Sequence, residues 1–247
     1  MNNIIYEIIE GVAVIKLNRP EKKNALNLEL IEDLGKVLKD AEDDKEVRVV
    51  VLTGKGDSFS SGADLTDSTT IDMMRQEFSS SSTMIRLINL EKPTIAAVNG
   101  YALGHGAEYM LMCDITIASD RAVIGFIGPQ RGLICPYAMI RLADEVGRSK
   151  AKELIWTCDR ISAKTALEMG LINKVVPHEK LMEEVLSFSK KLIKSSPLSI
   201  KLTKKAINRN LNDYKYAKEM LDISLESADF VEGISAFVEK RDQKWSI

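Results

Sequence analysis

PTIAAVNGYALGHGAEYMLMCDITIAS, residues 93–119, is the stretch whose pattern decides the fold. Pro93 to Asn99 is a short apolar run of the kind a sheet buries on both faces. Glycines at 100, 104 and 106 then break the chain and lead into an apolar helix, Ala107 to Cys113. Asp114 to Ser119 is a second strand. Strand, glycine turn, helix and strand make a crossover unit, and such units build parallel sheets. The class is α/β.

The flanking chain extends the same pattern. Upstream, Val47 to Thr53 is another buried strand, broken by Gly54-Lys-Gly-Asp-Ser. Ile4 to Ile9 and the alternating run Gly11 to Leu17 predict a hairpin turning at Gly11. Leu28, Leu30, Ile31, Leu34, Val37 and Leu38 recur at helical spacing, with Asn27 placed as N-cap of a helix reaching about Asp43. Asp67 to Ser82 is polar and serine-rich and reads as a mobile loop or weakly formed helix, followed by a helix from Met84 to Leu90. From Ser149 onward the pattern is mainly helical, with Ser162 as an N-cap, Gly170 as a helix stop and a strand at Leu171 to Val176. After Ser195-Ser-Pro the chain reads as helix almost to its end and carries apolar residues suited to a partner subunit. The organisation is a core over residues 1–194 and a C-terminal helical segment over 195–247.

Composition removes several function classes. The chain has 247 residues, 45% hydrophobic and 28% charged, as expected of a globular protein with a sizeable core. A formal net charge of -2 gives no electrostatic case for nucleic acid. No apolar run approaches the ~20 residues of a membrane helix, so no membrane partner is expected. The N-terminus lacks the features of a secretory or mitochondrial leader, which makes the cytoplasm the default location. Cys113, Cys135 and Cys158 show no metal-ligand spacing, and with only His105 and His178 present no metal site is expected.

Two stretches carry chemistry. Phe59-Ser-Ser-Gly-Ala-Asp-Leu follows a buried strand, and read alone it is a tight turn in which small residues let backbone approach a ligand. The second is Asn99 to Glu108, where the free N–H groups of a helix start favour negative charge. It lacks the lysine of a phosphate loop and the glycine spacing of a dinucleotide turn. An oxyanion that develops during reaction suits it equally, and so does plain close packing of helix on strand. Glu108, at the head of an apolar helix, is costly to bury unless paired or functional. It suits general acid-base work, although a first-turn acid also complements the helix dipole.

These two stretches in this order, with NRPEKKNALN near the start and EGISAFVEKR near the end, resemble the enoyl-CoA hydratase/isomerase (crotonase) family over almost the whole chain. The resemblance implies a crotonase-like spiral of repeated strand-strand-helix units with a C-terminal helical trimerisation segment, and hence a homotrimer or hexamer. It implies that the backbone N–H groups of Ala63 and His105 hold a thioester oxygen, with Gly104 beside them, and that Glu108 positions and activates water. Many relatives have glycine where this chain has His105. Its imidazole either packs away from the ligand or stands beside the acyl chain.

Hydratases of the family usually carry a second glutamate in a Phe-x-x-Pro-Glu stretch. Here the chain reads Phe126-Ile-Gly-Pro-Gln-Arg-Gly. Aligned on Phe126 and Pro129, the catalytic position is Gln130; aligned on Gly132, it is Gly128. Neither is an acid. Other polar candidates are Arg131, Tyr137 and Cys135, the last expected to be a packed thiol. Asp114 reads as structural. By resemblance Lys22, Lys23, Ala25 and Leu26 lie where relatives meet the nucleotide end of coenzyme A, and Asp64 lies on the adenine loop. Phe237 and Lys240 match positions that can reach a neighbouring subunit's ligand. The expected activity is an enoyl-CoA hydratase-like lyase acting on an acyl-CoA thioester, with no cofactor beyond the coenzyme A of its substrate. Isomerisation, hydrolysis, decarboxylation or acyl-CoA binding without turnover stay open because the second acid is missing.

Overall fold

A computed structural model describes residues 3–77, 79, 82–195, 197–208, 221–223 and 225–241. Much of the segment after Ser195, expected as nearly continuous helix, lies outside these residues.

The chain opens with β1 (Ile4–Ile9) and β2 (Val12–Leu17), an antiparallel pair. Their turn is made by Glu10 and Gly11, both at positive φ, the conformation that a tight hairpin requires. Helix α1 (Leu28–Asp43) follows, and the Asn27 side chain accepts from the Leu30 N–H at 3.1 Å, as its N-cap position predicts. Its apolar stripe, Leu30 through Ala41, is buried.

Three successive turns of chain then repeat one plan. Each lays a strand into a large sheet, a short strand into a small sheet, and a helix outside. The first turn is β3 (Val49–Gly54), β4 (Ser58–Ser60), then α2 (Thr70–Glu77) and α3 (Thr83–Asn89). The second is β5 (Thr94–Val98), β6 (Tyr101–Leu103) and α4 (His105–Met112). The third is β7 (Ile115–Ser119), β8 (Val123–Gly125), then α5 (Pro136–Val146) and α6 (Arg148–Thr157). β9 (Ile161–Ser162), α7 (Ala163–Glu168), β10 (Lys174–Val176) and α8 (Leu181–Ile193) complete the core.

The large sheet runs β1-β2-β3-β5-β7-β10 and is parallel from β2 onward. The small sheet runs β4-β6-β8-β9. β3 and β5 are buried along their whole length, which is why they read as apolar runs. Asn99 ties the two sheets together by donating to the carbonyls of Gly54 at 2.9 Å and Gly56 at 2.6 Å. α9 (Pro197–Ile207) and α10 (Ala228–Glu239) are the C-terminal helices.

The small sheet was not legible in the sequence, because its strands are two or three residues long and partly glycine and serine. The stretch expected as a mobile loop or weakly formed helix from Asp67 to Ser82 contains α2, whose Met73, Met74 and Glu77 are buried. The strand expected over Leu171 to Val176 is confined to Lys174–Val176. Gly170 does end its helix, at φ +81°.

Candidate active site

β4 and β6 are parallel neighbours, so the chain leaving each emerges at the same edge of the small sheet. That places the Gly62-Ala63 turn against the start of α4. The approach is tight: a Cβ on Gly62 would meet the Leu103 carbonyl oxygen at 2.8 Å and the His105 nitrogen at 3.4 Å. Gly106 is as constrained, since a Cβ there would stand 2.6 Å from that of Ser60. Among the described residues, neither the Ala63 N–H nor the His105 N–H has a backbone acceptor. The first is left over because the Leu26–Ala63 bridge uses Gly62 and Asp64 instead, and the second because it heads a helix. Both border a cavity of about 470 Å³.

Glu108 also lines this cavity, although it is only 2% exposed. Its Oε1 accepts from the N–H groups of Tyr137 at 2.8 Å and Ala138 at 3.1 Å, in the first turn of α5. Its Oε2 meets His105 Nδ1 at 2.9 Å. The carboxylate is thus held by charge-assisted bonds on both oxygens. The His105 side chain takes neither of the two expected courses alone: it borders the cavity but is turned onto Glu108.

Behind it stands Glu77, which the sequence reading missed. Glu77 is fully buried, and its Oε2 lies 3.6 Å from His105 Nε2, an ion-pair contact longer than a hydrogen bond. Tyr109 donates its hydroxyl to the same oxygen at 2.5 Å, and the Thr83 N–H donates to the other at 3.0 Å. Burial works against a charged imidazole here, but Glu108 and then Glu77 outweigh it, and the His105 pKa rises from 6.5 to about 9. One signal in the sequence could have found Glu77: it falls three and four residues after Met74 and Met73, on the apolar face of a short helix.

Of the two candidates for the second-acid position, Gly128 is the one that borders the cavity. Gln130 does not line it and is exposed on the turn Gly128–Arg131. Its expected place among the catalytic residues is therefore a correction. Gly128 has no space for a side chain, because a Cβ would stand 2.9 Å from Cys135 Sγ and about as close to two carbonyl oxygens. Cys135 is buried, and burial pushes its thiol pKa well up, in line with a packed residue. Asp114 accepts from Thr94 N–H and from Lys204 Nζ, a bracing role.

The residues expected at coenzyme A divide. Lys22, Lys23, Ala25, Asp64, Gly104 and Phe237 line the cavity. Lys23 and Asn24 both have positive φ, a conformation fixed by Asn24, whose buried amide donates to Lys55 and Ser58 carbonyls. Asp64 braces its loop through Arg19 at 2.9 Å and Thr66. Burial opposes its ionisation, yet Thr66 and the Arg19 guanidinium hold its pKa below the usual carboxylate value. Leu26 is corrected to a core side chain that contributes only backbone bonds. Phe237 lines its own chain's cavity, stacked 4.7 Å from the Arg131 guanidinium, and Lys240 caps α10 outside the lining.

The chain is similar in sequence and in fold to known proteins. The enoyl-CoA hydratase/isomerase family model matches residues 7–246. The short-chain-enoyl-CoA hydratase of Clostridium acetobutylicum is 39% identical, over 98% of this chain and 96% of that protein. An enoyl-CoA hydratase from Mycobacterium avium subsp. paratuberculosis superposes with a TM-score of 0.89 at 29% identity, covering 99% of each chain. A carnitinyl-CoA hydratase from Mycobacterium avium superposes with a TM-score of 0.88 at 32% identity, over 100% of this chain and 99% of that one.

Proposed function

The chain belongs to the enoyl-CoA hydratase/isomerase family, and from that premise we propose that it adds water across the double bond of an enoyl-CoA thioester. The observation that carries this reading is Glu108, a carboxylate bordering the cavity beside two N–H groups that have no backbone acceptor among the described residues.

The thioester oxygen sits between the Ala63 and His105 N–H groups. Glu108 takes a proton from water as the oxygen–Cβ bond forms. The Cα–Cβ electron pair moves toward the thioester, and the two donors stabilise the negative charge that collects on its oxygen. Protonation at Cα completes the hydration, and the reverse sequence removes water. Coenzyme A serves as the substrate's handle, with Lys22 and Lys23 at the mouth facing its phosphates.

Among the described lining residues the only other carboxylate is Asp64, which is committed to Arg19 and Thr66. By resemblance, the working base of the family's isomerases is often the glutamate at the second position, which neither Gly128 nor Gln130 supplies, and that weighs against double-bond isomerisation. Exposed Leu198, Leu202, Val231 and Val238 on the terminal helices support assembly into a trimer or hexamer.

A panel of acyl-CoAs tests the reading. Crotonyl-CoA should lose its conjugated enoyl-thioester absorbance with no release of free thiol. Thiol release would instead make the chain a hydrolase, and binding without turnover would make it a carrier.

A further inference from the structure

Glu77 lies outside every motif of the family resemblance, and no step above uses it. It nevertheless ends a continuous buried array. Glu108 Oε2 meets His105 Nδ1 at 2.9 Å, His105 Nε2 faces Glu77 Oε2 at 3.6 Å, and Tyr109 donates to Glu77 at 2.5 Å. Nε2 has no hydrogen-bond partner among the described residues, so Glu77 is what it faces. Two carboxylates, 0% and 2% exposed as side chains, flank one imidazole that is 8% exposed. Burying an uncompensated carboxylate costs several kcal/mol, so a cation between the two is the arrangement that offsets it. A neutral imidazole would leave two adjacent negative charges in a dry site.

Hydration needs a proton taken from water and a proton given to Cα. By resemblance, hydratases of the family divide these tasks between two glutamates, and here neither candidate for the second, Gln130 or Gly128, is an acid, while Gly128 has no space for a side chain. Resting on the hydratase reading, we propose that Glu77 is a positioning residue acting through His105: it holds the imidazole as a cation against Glu108, so that Glu108 alone performs both proton transfers. Glu108 takes one proton from water as the oxygen–Cβ bond forms and the π pair moves onto the thioester oxygen. It returns that proton to Cα as the enolate pair forms the Cα–H bond. One water is consumed, and the imidazolium keeps its own proton throughout. Its charge favours release of the borrowed proton, and its backbone N–H stands at the enolate oxygen.

The titratable groups around the imidazole are Glu77 from α2, Glu108 and Tyr109 from α4, and Cys135 and Tyr137 at the start of α5. The Tyr109 ring meets the imidazole edge-on at 5.5 Å. Burial, reinforced by the nearby carboxylates, pushes both tyrosine hydroxyls and the Cys135 thiol up, which leaves them neutral while His105 titrates.

The chain has only two histidines, so an isotope-labelled histidine NMR titration of the full protein gives two sets of signals, which His178→Gln assigns. His105 should stay cationic to about pH 9. In Glu77→Gln its midpoint should fall by at least ~1 unit, and the alkaline limb of kcat for crotonyl-CoA hydration should fall with it. At about pH 10, above both midpoints, kcat should drop ~10-fold with KM within about twofold, since the loss is confined to proton transfer. A wild-type His105 that titrates near 6.5 overturns the proposal, as does a Glu77→Gln protein with the midpoint and alkaline limb unmoved. The wild-type titration needs neither a folded variant nor turnover. A wild-type chain that binds enoyl-CoAs but hydrates none would overturn the hydratase reading itself, whereas the histidine result bears on the proposal alone.

Discussion

The two sides of the site are built from different materials. Around the thioester oxygen, Gly62-Ala63 and Gly104-His105 offer only backbone N–H groups, held by close approach of small residues. Around the proton, Glu77, His105, Glu108 and Tyr109 form a side-chain array drawn from α2 and α4 and anchored on α5. His105 belongs to both, through its N–H on one side and its ring on the other. The difference teaches where change is tolerated. The backbone side accepts a glycine-to-histidine replacement because the N–H survives it. The side-chain side rests on specific charges, and one altered residue changes the chemistry.

Breaking the backbone side should have a large effect. At Gly62, φ is +97° and a Cβ would press on the Leu103 carbonyl at 2.8 Å. Gly62→Ala should shift the Ala63 donor and cost on the order of 10²-fold in kcat, the size of losing one oxyanion donor. Steady-state kinetics on crotonyl-CoA checks this, and an unchanged kcat would show that the turn does not position the hole.

The side-chain side can be read through stability without any variant. Burial opposes protonation of His105, but Glu108 and Glu77 raise its pKa from 6.5 to about 9. A raised pKa in the folded state contributes stability that is complete below the unfolded value and is lost as pH rises through the folded one. Urea unfolding should therefore show a decline between about pH 6.5 and 9, on the order of 3 kcal/mol in size. A flat profile over that window would mean that the ring is neutral in the fold. Tyr109→Phe should act more mildly, because it removes one donor to buried Glu77. A loss of about 1–3 kcal/mol is expected, with coenzyme A affinity unchanged.

The same division explains how far the sequence could be read. The long strands and α1 were legible because burial on both faces or on one stripe leaves a strong periodic signal. The backbone side was legible too, since glycines at 62 and 106 mark close approach and Gly104 a positive φ, all within short spans of chain. Glu77 was not, because its pairing with His105 spans 28 residues and its helix has serines on its downstream side. Gln130 was misplaced because two alignments of Phe126 to Gly132 fit equally, and only the turn at Gly128–Arg131 shows which residue faces the cavity. Phe237 was read by resemblance as able to reach a neighbouring subunit's ligand, and within its own chain α10 lays it against Arg131.

The central claim is that Glu108 handles the water-derived proton while Ala63 and His105 hold the thioester oxygen. Glu108→Gln tests it most directly, because the amide fits the same space but cannot carry the proton. Crotonyl-CoA hydration and coenzyme A binding should be measured on the same samples. The account predicts a kcat loss of ~10²–10⁴-fold with binding kept. A Glu108→Gln protein that binds coenzyme A and hydrates crotonyl-CoA at the wild-type rate would contradict it.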